Sequence, residues 1–96
     1  MNTQITVYPI TKEHVVNLRF PKEDVLEKEE LREQREYQLT RAMQIGNLLK
    51  SKVTLYFKDE QESMLSVRTT IWAVTNKYVV LKKGTFIPLH RIVHIE

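Results

Sequence analysis

The rhythm of apolar positions changes near Lys52. Upstream, apolar side chains recur at three- and four-residue steps; downstream, they alternate with polar ones. Val53, Leu55 and Phe57 alternate with Thr54, Tyr56 and Lys58, which predicts a half-buried strand. Asp59-Glu60-Gln61-Glu62 is a polar connection. Leu65, Val67, Thr69 and Ile71 then alternate with Ser66, Arg68 and Thr70, until the phase slips by one through Trp72-Ala73-Val74. Such a slip predicts a bend or a bulge in one long strand. Thr75-Asn76-Lys77 turns into Tyr78-Val79-Val80-Leu81, and Lys82-Lys83-Gly84 turns into Thr85-Phe86-Ile87, with Gly84 supplying a positive φ. Pro88 cannot donate to a ladder and belongs at a strand end. Pro88-Leu89-His90-Arg91 interrupts, and Ile92-Val93-His94-Ile95 is a fifth strand.

Ahead of the strands, Asp24-Val25-Leu26-Glu27 has the form in which an acidic side chain accepts from an orphan N–H and a glutamate reaches back, so a helix is expected to start near Asp24. Between Lys22 and Glu36 stand seven acidic and four basic residues. The acids gather toward the positive end of the helix dipole, which is locally stabilising without a partner. Val25, Leu26 and Leu31 are the apolar residues of that stretch, whereas Leu39, Ala42, Met43, Gly46 and Leu49 follow at helical spacing, so the second half of the helix is expected to pack. An unbroken helix from Asp24 to Leu49 would run about 39 Å at 1.5 Å per residue. Either Gly46 ends it early or its acidic end projects. In the first twenty residues, Ile5-Thr6-Val7-Tyr8 and Val16-Asn17-Leu18-Arg19-Phe20 suggest two short extended segments. The competing reading makes Thr11 the N-cap of a brief helix through Lys12-Glu13-His14.

These elements predict an α+β fold in one domain over residues 1–96: short extended segments at 1–21, a charged N-terminal helix at 22–49, and a five-stranded, strongly bent antiparallel β-barrel at 51–96. The strand order, the Lys52-Val53-Thr54-Leu55 opening and the Ile87-Pro88-Leu89-His90-Arg91-Ile92 close resemble the small SH3-like barrels of the Sm type. The resemblance extends over residues 39–96. It is similar in particular to the helix-preceded Sm-like fold of the Rho inhibitor Rof and of archaeal ribonuclease P subunits. No Asp accompanies Asn76 in the loop where Sm proteins carry Asp-x-x-x-Asn, and Lys83-Gly84 lacks the preceding Ile-Arg. The resemblance therefore carries over no uridine pocket, and fold analogy alone does not deliver function.

With 96 residues, of which 42% are apolar and 28% charged, the chain can bury one modest core and no second domain. The absence of cysteine removes disulfides, thiol nucleophiles and thiolate metal sites, and suits a reducing, cytoplasmic compartment. Apolar runs reach only four residues, too short for a membrane span, and no membrane partner is expected. His90 and His94 share one side of a strand but lack an evident third ligand, so a metal is not expected. Asp59, Glu60 and Glu62 sit in a solvated turn rather than in a desolvated acid–base pair. With two glycines there is no phosphate-cradling loop. No catalytic residues and no cofactor are expected; the reading is of a protein that is not an enzyme.

Charge divides the chain. Residues 1–40 hold six Lys/Arg against eight Asp/Glu, a balance of −2; residues 41–96 hold nine against four, a balance of +5. The preferred expectation is a small regulatory or adaptor protein that engages another macromolecule, foremost a protein, through Glu27, Glu30, Glu33 and Arg35. This is also what the Rof resemblance implies, since an acidic helix would block a partner's basic groove. The alternative is single-stranded RNA or DNA binding, in which Lys82, Lys83 and Arg91 track phosphates while Tyr56 and Trp72 stack unpaired bases. Against it, the lysines could serve as turn solubilisers and Trp72 as a plug at the bend. Self-association through the helix, against Lys82 and Lys83 of a second copy, is the third expectation.

Overall fold

The computed structural model describes residues 5–96; the first four positions of the 1–21 segment lie outside the described residues. Strand β1 (Val7–Pro9) is followed by a one-turn helix α1 (Lys12–Val15), so the Thr11 reading holds for the second half of this region. Val16–Phe20 forms no strand among the described residues. Val15 is buried in the core, and the Phe20 ring lies 6.1 Å from that of Phe57. The amino-terminal segment thus covers apolar surface rather than extending a sheet.

The long helix α2 spans Glu29–Leu49, and the expectation of an N-terminal helix over 22–49 is corrected on both counts: a strand and a short helix precede it, and it begins seven residues later. The reason lies in Asp24. Its Oδ1 accepts the Leu26 N–H at 2.7 Å, the capping bond read from the sequence, but both carboxylate oxygens are also engaged at 2.8 Å by the Arg35 guanidinium. The Asp24 turn therefore stays a local turn. The helix starts at Lys28, whose carbonyl accepts from Leu31 and Arg32. Nor does Gly46 end the helix. It is buried three residues inside it, where a Cβ would meet the Ser51 carbonyl oxygen at 3.4 Å and the Thr70 Cγ2 at 3.5 Å. Glycine allows α2 to approach the chain crossing beneath it. Arg35, Leu39, Ala42, Met43 and Gly46 form its inward stripe.

Seven strands follow the alternation in part. β2 (Val53–Lys58), β3 (Met64–Thr69), β4 (Ile71–Val74), β5 (Tyr78–Leu81), β6 (Phe86–Pro88) and β7 (Ile92–Ile95) join β1 in two sheets. The first has the order β1-β3-β2-β7, with β1 parallel to β3 and the other pairs antiparallel; the second is the antiparallel meander β4-β5-β6. The closed five-stranded barrel expected from the sequence is not formed. The single long strand breaks at Thr70, sending β3 to one sheet and β4 to the other, and among the described residues no ladder joins the sheets. Leu55, Phe57, Val67, Ile71, Val79, Leu81, Ile87 and Ile92 face one another between the sheets beside Leu39 of α2.

Two buried arginines tie the segment Pro21–Leu26 to this body. Arg35, 4% exposed, also donates to the Ile92 carbonyl on the β7 edge. Arg91, 1% exposed, donates to the carbonyls of Lys58, Asp59 and Glu23 and to the Glu62 carboxylate. His90 Nε2 lies 2.8 Å from the Pro21 carbonyl oxygen, and the His90 carbonyl accepts the Val25 N–H. Partial burial pushes the Asp24 carboxyl up, but the hydrogen bonds from Arg35 and Leu26 and the charges of Arg35 and Arg32 outweigh it and hold the group below its ordinary value of 3.8.

Replacing Asp24 with Asn leaves a buried guanidinium without its counter-charge and is expected to cost about 3 kcal/mol, read by urea denaturation. A depressed carboxyl contributes its full stabilisation above the unfolded-state value and loses it as pH falls through the folded one. Wild-type stability is therefore expected to drop below about pH 4, and the Asp24→Asn variant to show a shallower acid limb.

Candidate functional site

Trp72 owes its position to backbone register. On β4, Ile71 pairs with Leu81 and Ala73 with Val80, so Trp72 is one residue more than its partner strand can match. This bulge is the phase slip seen in the sequence, and bulges re-aim side chains. Ile71 is buried and Trp72 is 49% exposed. The expectation that Trp72 plugs the interior is thereby corrected.

Beside the indole lies a groove of about 300 Å³, lined by Gly46 and Asn47 of α2, by Lys50 and Lys52 beyond its end, and by Thr70, Trp72 and Lys82. Three local features hold these walls together. The Thr70 hydroxyl donates to the Ser51 carbonyl at 3.3 Å, and the Lys82 N–H donates to the Thr70 carbonyl at 3.0 Å. Lys50 closes α2 in the left-handed conformation, φ 54° and ψ 36°, a geometry usually given to glycine. Three lysines therefore line the groove beside the exposed Trp72, and no carboxylate lines it among the described residues. Such a site attracts anions electrostatically and offers a π-surface for a planar group.

The structure brings together only part of the basic set read from the sequence. Trp72 and Lys82 share the groove. Lys83, with φ 71°, lies instead beside Gly84 on a larger apolar depression of about 500 Å³ lined by Val16, Leu18, Phe20, Tyr78 and Phe86. Tyr56 lies on the outer face of the other sheet. Its ring is 5.7 Å from that of His94, and its hydroxyl donates to Glu96 at 2.7 Å, a bond that holds the phenol above its ordinary value of 10.0. A carboxylate at that ring disfavours a phosphate. Arg91 is not a surface cation but an internal staple. Asn47 and Thr70 were not read from the sequence as site residues, and Gly46 only as a packing position or a helix end; the close approach that a helical glycine permits is the signal that could have pointed to them.

On the acidic side, Glu27, Glu30 and Glu33 are exposed as expected. Arg35 is not: it is buried against Asp24 and cannot meet a partner. His90 and His94 do not converge on a common site, since one meets Pro21 and the other Tyr56. No cluster of three metal-ligating side chains occurs among the described residues. No described helix is long and apolar enough to cross a membrane.

Comparison with known proteins returns no match: no family model fits the chain, and neither a curated protein nor a solved structure matches it. Function is therefore argued from the chemistry of the site itself.

Lys50 holds its backbone in a region that costs a non-glycine residue about 1 kcal/mol. The Lys50→Gly variant is expected to gain roughly that much stability, raising the melting temperature by about 4 to 8 °C for a domain of this size, as read by thermal circular dichroism. It is expected to weaken any anion held in the groove.

Proposed function

We propose that the protein binds single-stranded nucleic acid in the groove between α2 and β4. One observation carries the reading: a half-exposed tryptophan lies among three lysines with no carboxylate in the lining. Single-strand binders combine a cationic track for the backbone with an aromatic platform on which bases stack, and both halves are present here. Lys50, Lys52 and Lys82 serve the phosphates, Trp72 stacks one base, and Asn47 and Thr70 offer hydrogen bonds at the edges. Tyr56, Lys83 and Arg91, counted for this role in the sequence, take no part. Binding is the activity proposed.

A protein-engaging adaptor is the second reading. It is supported by the acidic surface of Glu27, Glu30 and Glu33, which is exposed and makes no ion pair among the described residues. The two readings use different surfaces and can be separated.

Trp72 is the chain's one tryptophan, so intrinsic fluorescence reports the site directly. A short oligouridylate or oligothymidylate is expected to quench it. Log affinity is expected to fall with log salt at a slope of about −2, the value for three phosphates neutralised on a single strand. Trp72→Ala is expected to weaken binding by about 1 to 3 kcal/mol, read by anisotropy of a labelled oligomer. Lys50→Glu and Lys82→Glu should each weaken it, and Lys83→Glu should not. An absence of quenching at low salt, together with a lysate partner that survives nuclease and is lost with Glu30→Lys and Glu33→Lys, would favour the adaptor.

A further inference from the structure

Where residues 15–24 lie against β5 and β6, two depressions open side by side. The first is the apolar one of about 500 Å³, with Val16, Leu18, Phe20, Tyr78 and Phe86 in its lining. The second, of about 410 Å³, takes in Lys22, Asp24, Arg35, Asn76, Lys77 and His90. Phe20, Tyr78 and Pro88 belong to both linings, so an apolar hollow runs directly into a cationic one.

Neither half is satisfied by the protein itself. In the apolar half, the Tyr78 and Phe86 rings meet edge to face at 4.9 Å, yet Phe86 stays 53% and Val16 70% exposed. Such surface favours an apolar body that removes it from water. In the cationic half, Lys22 and Lys77 are exposed and make no ion pair among the described residues. Asp24 is the one carboxylate in either lining, and it is already engaged by Arg35 and Arg32. Arg35 Nε, on a residue of the same lining, is a buried donor without a partner. Two unpaired charges and an unused donor thus stand at one end of an apolar hollow. At the other end Lys83 is the single cation.

We propose that this paired depression binds a small amphipathic anion, an apolar chain ending in a carboxylate. The chain lies over Leu18, Phe20 and Phe86, and the carboxylate sits between Lys22 and Lys77. Both volumes fall within the range of about 300 to 1,000 Å³ usual for small-molecule sites, and a mainly apolar lining with a few polar groups is their usual chemistry. The proposal does not depend on nucleic-acid binding, since the groove at Trp72 shares no lining residue with either depression.

The test is a titration of the full ¹⁵N-labelled chain, followed by amide chemical shifts, with octanoate and separately with its neutral analogue 1-octanol. Octanoate is expected to shift the amides of Leu18, Phe20, Lys77 and Phe86 saturably and to leave those of Asn47, Thr70 and Trp72 in place. The Lys22→Gln/Lys77→Gln variant, altered only at exposed side chains, is expected to weaken octanoate about ten-fold, as the loss of two exposed ion pairs would. It should bind 1-octanol as the wild type does, and Lys83→Gln should leave octanoate affinity unchanged. Absence of a saturable shift, or shifts centred on the Trp72 groove, overturns the proposal. Equal weakening of octanoate and 1-octanol in the double lysine variant, or weakening of octanoate by Lys83→Gln instead, overturns the placement of the carboxylate.

Discussion

The architecture depends on the way one guanidinium is neutralised away from water. Arg35 sits on the inner stripe of α2, where a charge is tolerated only if it is paired and hydrogen-bonded. Asp24 supplies the charge through two contacts of 2.8 Å, and the Ile92 carbonyl supplies a further acceptor at 3.1 Å; Nε alone lacks a partner. Three parts of the chain are joined at that point: the loop ahead of the helix, the helix itself, and the edge of the four-stranded sheet. Arg91 repeats the device from the other side, binding Glu23 of the same loop and the turn after β2. With both arginines in place, the loop is strapped across the β7 edge and α2 is tied to it.

That position determines where α2 ends, and its end builds the groove. The chain leaves the helix through Lys50 in a left-handed conformation, passes beneath Gly46, and enters β2 two residues after the Ser51 carbonyl has accepted the Thr70 hydroxyl. Thr70 is the residue at which one long alternation is divided between two sheets. The groove therefore forms at the junction of the fold's two layers. Interface grooves of this kind are common ligand sites, because neither layer can close them with its own side chains.

Much of this was legible in the sequence. The strands from Val53 to Ile95, the turn at Gly84 with its positive φ of 91°, and the irregularity at Trp72 follow from alternation and from residue preferences that act over a few positions. The inward stripe Leu39, Ala42, Met43 and Gly46 was likewise written in helical spacing. What could not be read was long-range. Nothing local distinguishes Arg35 from its exposed neighbours Glu33 and Glu36, because its burial is decided by a carboxylate 11 residues away and a carbonyl 57 residues away. Arg91 was hidden for the same reason. The barrel failed to close because Thr70 turns the chain from one sheet to the other, and a break of that kind does not disturb the pattern of apolar residues on either side. Within the site, Trp72 and Lys82 were recognisable by type. Lys50 and Lys52 became neighbours of Trp72 through the approach of α2.

The bulge at position 72 separates two demands that most strand positions must satisfy together. A residue in register must fit the layer it faces, so its identity is fixed by packing. A residue that register has set aside is held less closely to that demand, and about half of the Trp72 surface here stays exposed. The fold would accept many side chains at this place. The largest aromatic side chain stands there, half exposed at the junction of the two sheets, and packing against the partner strand does not by itself account for the choice.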